Sequence, residues 1–483
     1  MTTANRAPDL RGRALGWLAR FVTRCFFRSV EVSGSVPGDG PVVLAASHLN
    51  GFVDPVVLGG RLHRFPRFLA KSTLWKVVAA RPALAFARVI PVHRRQDASG
   101  PDGAVGGVDT VDAVDNGGMF RSAIDALRGG DLIAIFAEGT THDDARIRPI
   151  RTGAARIAVQ AAAAGVPEVR LVPVGISYED KVAVRGRVLI TFGPPVAVPD
   201  DRPLLDESGE AAHDVVRTVT DRLQRALEES TPTFRSNEEL LALEAAARVT
   251  LHDADSHPDG EPVPMSQIAD ASRVLAAAPE AEATALVTLV ARYKMLLGFA
   301  DLNDRDLVHH RRLSTHVRRL VLLALLIIVL APLAVAGLFA NLLPVALVLV
   351  AGLVPRAPVS KGTTRILVGA LAFPLTWTVI ALNDSDAGSF GAWLRQVTYP
   401  ADALLGDAPA DRQGFLAGLL VFVLVPLLGA VALVLAERMW AFLRGLVAWR
   451  TLLDRRGQLP DILARRAEVV AETRRLLDQR PAP

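Results

Sequence analysis

His48 and Asp54 stand with five residues between them in "SHLNGFVDPVVL", directly after the apolar run "VVLAA" (42–46). An imidazole whose one ring nitrogen is held by a carboxylate keeps a fixed tautomer, and its other nitrogen can draw a proton from a hydroxyl. An isolated His and Asp this close are more often structural than catalytic. Here a strand-like run before, the Asn50-Gly51 turn between and the apolar "PVVLGGRL" after would let the chain double back so that the two side chains meet. Ser47 adjoins His48, but neighbours on a strand point to opposite faces, so the two are not a nucleophile and its base. The chain has no G-x-S-x-G elbow, no H-E-x-x-H and no Walker-type loop. The chemistry left is a base acting on a substrate's own hydroxyl, with no covalent enzyme intermediate, no metal and no cofactor.

A second set of residues could hold an anion. "FAEGTTHDD" (136–144) places Glu138, Gly139, Thr140 and Thr141 at the end of an apolar strand. "IRPIRTGAARIAV" (147–159) follows, with Arg148 and Arg151 beside a helix start near Gly153. Free N–H groups at a helix start, together with arginines, suit a phosphate; solvated surface arginines are the alternative. "IPVHRRQD" (90–97) adds Arg94 and Arg95 after another strand end, and "LVPVGISY" (171–178) reads as a pocket wall.

These motifs need a scaffold. Residues 29–200 alternate β-like runs with helical stretches, as an α/β domain should. Strands are expected at 30–34, 42–46, 67–70, 88–92, 132–137, 169–177 and 187–192, with helices at "FRSAIDALRGG" and "GAARIAVQAAAAG". The Gly- and Asp-rich stretch 97–118 reads as a surface loop. Residues 201–310 turn helical and charged, which suggests a separate helical domain with a linker at 256–266.

From residue 320 the chain runs 36 residues without a charge, more than the roughly 20 that fill a bilayer core. Gly337, Asn341 and Pro344 suggest a turn, so a hairpin over 320–354 is expected. Arg311, Arg312, Arg318 and Arg319 precede it and Arg356, Lys361 and Arg365 follow, which would put both its ends on the cytoplasmic side. A span over 366–382 would then cross outward to an acidic loop and a span over 415–436 would return, making 311–456 a transmembrane domain and 457–483 a cytoplasmic helical tail. Three such runs argue against a soluble protein.

The N-terminal segment 1–28 is too interrupted by arginine for a signal peptide. It reads as amphipathic, able either to lie on an anionic bilayer or to pack on its own domain. Only five of the 54 Lys and Arg residues are lysine, which points to a GC-rich, bacterial source. The single cysteine, Cys25, excludes an internal disulfide and a cysteine-based zinc site.

In order, the four stretches "SHLNGFVDPVVL", "IPVHRRQD", "FAEGTTHDD" with "PIRTG", and "LVPVGISY" resemble the glycerolipid acyltransferase (PlsC-like) family. They look most like its yeast-type glycerol-3-phosphate/dihydroxyacetone-phosphate acyltransferase subgroup, whose first motif is longer than the usual His, four residues, Asp. Ser47 stands where Asn is usual, and Thr141 where other members carry arginine. The match is specific over about 40–195 and fainter in "VARYKMLLGFADLNDRDL" and "VSKGTTRILVGALAFPLTW". The resemblance implies a mixed-sheet α/β acyltransferase domain, followed by helical and transmembrane parts. It implies His48 as general base, Asp54 as its partner, and Arg94, Glu138, Gly139, Thr140, Thr141, Arg148 and Arg151 around a phosphorylated acceptor. Acyl-CoA or an acyl-carrier protein would be the donor, a glycerol-phosphate the acceptor, and membrane lipid a partner, with no role for nucleic acid. A lysophospholipid acceptor, or a non-catalytic transporter or lipid-binding protein, are the alternatives.

Overall fold

The computed structural model describes residues 9–93, 112–201, 203–252, 262–309, 313–355, 357–383 and 410–479. They fall into two compact units. One comprises Met1–Glu244, Pro264–Ala283 and Gln479–Pro483, the other Ala245–Val263 and Thr284–Asp478.

The first unit is built on seven strands: β1 (Phe27–Ser33), β2 (Val42–Ala46), β3 (Arg67–Lys71), β4 (Ile90–Val92), β5 (Leu132–Phe136), β6 (Arg170–Tyr178) and β7 (Gly186–Phe192). Their order in the sheet is β1-β7-β6-β2-β5-β3-β4. All neighbours are parallel except β6 with β7, so the sheet is mixed, as expected. Every residue of β2 is buried, because β5 and β6 flank it and both faces are covered; such a strand reads as a continuous apolar run.

Helices α1 (Leu10–Phe26), α2 (Val53–Gly59), α3 (Arg81–Phe86), α4 (Asp112–Arg128), α5 (Gly153–Ala163) and α6 (His213–Ser230) belong to this unit. Met119, Ala123 and Leu127 of α4, Ala154, Ile157 and Ala158 of α5 and Val215, Val219 and Leu223 of α6 share one core with Val43 and Ile133 of the sheet. The separate helical domain expected over 201–310 is therefore not present as such. The apolar face of α6 completes the core of the first unit, and α8 (Met265–Ala276) packs on β1 and β7. The loop expected over 97–118 ends early, since Asp112 opens α4; residues 97–111 lie outside the described ones.

The boundary expected at residue 28 is also absent, as α1 runs straight into β1. Its buried face is made of small residues, Gly12, Gly16, Ala19 and Thr23, while Leu10, Trp17 and Leu18 point outward, Trp17 being 63% exposed. The helix thus packs on its own unit and still shows a bulky apolar and basic face.

In the second unit the long helices are α9 (Glu280–Ala300), which begins at the unit boundary, α11 (Leu313–Ala351), α12 (Pro358–Asn383) and α13 (Ala410–Asp454); α10 (Asp304–His309) precedes α11, and α14 (Leu459–Asp478) ends the chain. Among the described residues four helices are long and apolar enough to cross a membrane, within α9, α11, α12 and α13. Sequence reading had placed α9 in the helical domain.

The expected hairpin over 320–354 is instead one helix of 39 residues, about 58 Å long at 1.5 Å per residue. The residues taken as turn markers serve a helix crossing. A Cβ on Gly337 would clash with the Leu428 carbonyl of α13, so glycine admits a close backbone approach there. Asn341 donates through Nδ2 to Gly337 O (2.9 Å) and Val425 O (3.3 Å) and accepts the indole N–H of Trp377 on Oδ1 (2.9 Å). Pro332 and Pro344 remain inside the helix, which packed neighbours tolerate.

The expected opposed directions of 366–382 and 415–436 are corrected as well. Gly352 just past α11, and Val348 and Asn341 on it, meet Arg365, Gly369 and Trp377 of α12, while Asn341, Gly337 and Leu323 meet Val425, Gly429 or Leu428, and Leu435 of α13. Both helices run antiparallel to α11 and hence parallel to each other. Charge flanks report which side a helix end is on, but not which neighbour it packs against. Most of the expected acidic loop, 384–409, lies outside the described residues.

Candidate active site

Three adjacent parallel strands, β5, β2 and β6, bring the site together at their carboxyl ends, where open α/β sheets gather their ligands. His48 follows β2 by two residues. Gly51, at φ +48°, turns the chain back, and Asp54 lies in the first turn of α2. The turn achieves what the spacing predicts: His48 Nδ1 lies 2.9 Å from Asp54 Oδ2. Asp54 is fully buried, while the His48 side chain keeps 18% exposure. The imidazole stacks on Phe136 with centroids 4.1 Å apart.

Asp54 has further donors. The Asn50 N–H reaches Oδ2 at 2.8 Å and the Tyr178 hydroxyl reaches Oδ1 at 2.5 Å. Together these three bonds fix the orientation of the Asp54 carboxyl group. It fixes His48 Nδ1 as the N–H side, so Nε2 is the basic nitrogen, and no protein group among the described residues occupies it. Burial, then the nearby Asp54 charge, pushes the Tyr178 hydroxyl far above its ordinary range, so it keeps its proton and donates at all working pH. Ser47 is excluded as a nucleophile: it is buried, and its hydroxyl accepts the Ile176 N–H at 3.0 Å.

Glu138, expected among the acceptor contacts, is corrected by the geometry. It is buried, its Oε1 accepts the backbone N–H of His48 (2.9 Å), and its Oε2 accepts that of Arg148 (2.9 Å) and meets His142 Nε2. The Asp144 N–H points at His142 Nδ1 (3.2 Å), which makes Nδ1 the acceptor and leaves the proton on Nε2, facing Glu138. Glu138 therefore ties the turn carrying His48 to the 142–148 segment, and both its oxygens are engaged there.

Gly139 has φ +73°, a conformation that side chains resist, and Arg151 Cγ would lie 3.2 Å from a Cβ there. The Arg151 N–H donates to Ala137 O (2.8 Å), and the Ala137 N–H to Ala46 O (2.9 Å), which seats Arg151 beside the ends of β5 and β2 with an exposed side chain. Thr140 is exposed and Thr141 half-buried; α5 begins just beyond, with no side chain capping its first turn. Arg148 contributes differently: its Nε is bonded to Asp144 Oδ2 at 2.6 Å, and that hydrogen bond holds the exposed Asp144 carboxyl below its usual range. Arg94 lies outside the described residues. The sequence reading missed Tyr178, His142 and Phe136 as parts of the site. All three stand inside quoted motifs, but only the adjacency of β6 and β5 to β2 shows what they touch.

Parts of the chain are similar to known proteins. Residues 29–177 match the protein family described as Acyltransferase. Glycerol-3-phosphate O-acyltransferase 1 of Saccharomyces cerevisiae is 24% identical over 309 residues, covering 48% of this chain and 41% of that protein. Glycerol-3-phosphate O-acyltransferase 2 of the same yeast is 28% identical over 144 residues, covering 29% of this chain and 19% of that one. The match thus spans less than half of these curated relatives. Among solved structures, the 1-acyl-sn-glycerophosphate acyltransferase PlsC of Thermotoga maritima is 21% identical, over 45% of this chain and 78% of that one, with a TM-score of 0.31. The family match thus falls on the strands and helices that carry the site, and four helices elsewhere among the described residues are long and apolar enough to cross a membrane.

Proposed function

We propose that this acyltransferase-family chain transfers a fatty acyl group from the thioester of CoA or an acyl-carrier protein to a hydroxyl of glycerol-3-phosphate or dihydroxyacetone phosphate. The observation that carries the reading is the His48 imidazole, pinned on Nδ1 by Asp54 and open on Nε2. Nε2 takes the acceptor's hydroxyl proton as the oxygen attacks the thioester carbonyl. The tetrahedral intermediate then expels the thiolate, which recovers the proton from His48. Asp54 stays ionised and stabilises the imidazolium formed between the two steps. A positioned base of this kind supplies about 10²- to 10⁴-fold, so alignment of donor and acceptor must supply much of the remainder.

The acceptor's phosphate is assigned to the uncapped start of α5 with the exposed Arg151 beside it, and Gly139 keeps the intervening turn narrow. Arg148, held by Asp144, has a lesser share. The names of the two yeast relatives favour glycerol-3-phosphate over a lysolipid. The α13 end that carries Arg444 and Arg450 is read as facing the cytoplasm of a bacterial inner membrane, which leaves Lys361 and Arg365 of α12 at the other end.

The test is thioester consumption by the purified chain with glycerol-3-phosphate, with 1-acylglycerol-3-phosphate, and with no acceptor. Consumption dependent on glycerol-3-phosphate supports the reading. Dependence on the lysolipid alone moves the substrate, and no acceptor-dependent consumption removes the enzyme.

A further inference from the structure

We propose that Tyr178 is a positioning residue that holds Asp54 and, through it, restrains the basicity of His48, an inference that rests on the reading of His48 as the base. Tyr178 is the last residue of β6, Asp54 belongs to α2 and His48 follows β2, so the carboxylate is where three elements are joined. Each of its oxygens has a defined task. Oδ2 receives His48 Nδ1 (2.9 Å) and the Asn50 N–H (2.8 Å), and Oδ1 receives the Tyr178 hydroxyl (2.5 Å).

All three donors are uncharged when His48 is neutral. The surrounding ionisable groups do not alter this. Glu138 faces the backbone N–H of His48, with His142 behind it. Lys181, whose carbonyl accepts Asn50 Nδ2 (3.2 Å), places its ammonium on Asp143 at 2.8 Å. The negative charge of Asp54 is thus divided among hydrogen bonds alone. A short bond from a hydroxyl to a carboxylate is among the stronger ones, so the phenol takes a share that would otherwise fall on the imidazole. Without it, Asp54 stabilises the imidazolium more, and His48 holds its proton to higher pH. The phenol also occupies an oxygen that would be left buried and unpaired.

Tyr178→Phe removes one oxygen and keeps the ring, including its contact with Phe27 at 6.0 Å between centroids. The measurement is the pH dependence of carbethoxylation at His48 by diethyl pyrocarbonate, which attacks neutral imidazole, read by peptide mass spectrometry on the full chain in detergent. The midpoint should rise by roughly half a unit to one unit, about a 3- to 10-fold lower rate on the acid side. No shift, or a downward one, overturns the proposal. In an Asp54→Asn background Tyr178→Phe should move nothing; a shift that persists there overturns the route through Asp54. Placing 3-fluorotyrosine, a stronger donor, at position 178 should move the midpoint down, and covers the case in which the phenylalanine variant fails to fold; an unmoved or raised midpoint with it likewise overturns the proposal. Because the readout is His48 itself, a chain without acyl transfer but with these shifts would sink the proposed activity and spare the role of Tyr178, whereas transfer with an unmoved midpoint would do the reverse.

Discussion

Two aspartates in this chain each grip a histidine and a tyrosine, and they differ in the third partner. Asp54 holds His48 Nδ1, Tyr178 and a backbone N–H. In the second unit Asp304 holds His252 Nδ1 (3.4 Å), Tyr293 (2.6 Å) and the Arg466 guanidinium (2.7 Å), which also donates to the carbonyls of Val249 and His252. The His252 side chain is 3% exposed where His48 is 18% exposed. Similar residue types with similar bonds therefore serve opposite ends. At Asp54, among the described residues, the carboxyl is held by His48, a phenol and a backbone N–H, and His48 Nε2 is left open. At Asp304 the arginine already uses the carboxylate's charge, the ring is sealed, and the cluster staples α14 to the end of α7 (Asn237–Leu251) and to α10. On the proposed reading, chemistry is marked by the open nitrogen, and less by the His–Asp pair itself.

The sharpest way to break this contrast is to remove the imidazoles. His48→Ala should lower kcat by about 10²- to 10⁴-fold or more with the thermal unfolding midpoint little changed. His252→Ala should leave kcat within about two-fold and lower the unfolding midpoint. A catalytic effect of His252→Ala comparable to that of His48→Ala would end the distinction.

Next in size is Asp304→Asn, which strands a largely buried guanidinium; breaking such pairs costs about 3–5 kcal/mol, read by denaturant unfolding in detergent. Part of it is offset because the Arg466 side chain is 19% exposed. Asp54→Asn should instead act chiefly on kcat. Equal stability losses in the two variants would show that Asp54 is also mainly structural.

These contrasts bear on what a sequence can reveal. The seven strands and the meeting of His48 with Asp54 were legible, because alternation of apolar runs and a glycine turn are local signals. Glu138 was assigned to the substrate since its motif sits at a strand end, yet its partners are 90 residues away at His48 N and 10 away at Arg148 N. Tyr178 contacts Asp54 across 124 residues, a pairing set by strand order and not by spacing. The transmembrane hairpin failed for the same reason: Gly337 and Asn341 carry a turn signal locally and a crossing signal only once α13 is alongside.

A smaller effect sharpens the contrast through pH. Burial raises the Asp304 carboxyl, but the hydrogen bonds from His252 and Arg466 outweigh it and hold the folded-state value below normal. A depressed acid stabilises the fold above its unfolded value, about pH 3.9, and that contribution is lost as pH falls below it through the folded value. Asp304→Asn should therefore flatten the acid slope of unfolding free energy below about pH 4. An unchanged slope would mean the cluster is neutral in the folded chain. Smallest is Gly139→Ala, which at φ +73° should cost about 1–2 kcal/mol and raise the acceptor KM before it alters kcat. Arg151→Ala should raise that KM further, and an unchanged KM would take the arginine out of the site.

The amide of Asn341 joins three helices, yet the ribosome makes its partners late. Trp377 follows it by 36 residues and Val425 by 84. At roughly 5–20 residues per second, the nascent chain carries this amide with only its bond to Gly337 O for about 4 to 17 seconds before the last acceptor exists. The insertion machinery must therefore shelter α11, or leave it at the channel's edge, until α13 is released to lie beside it.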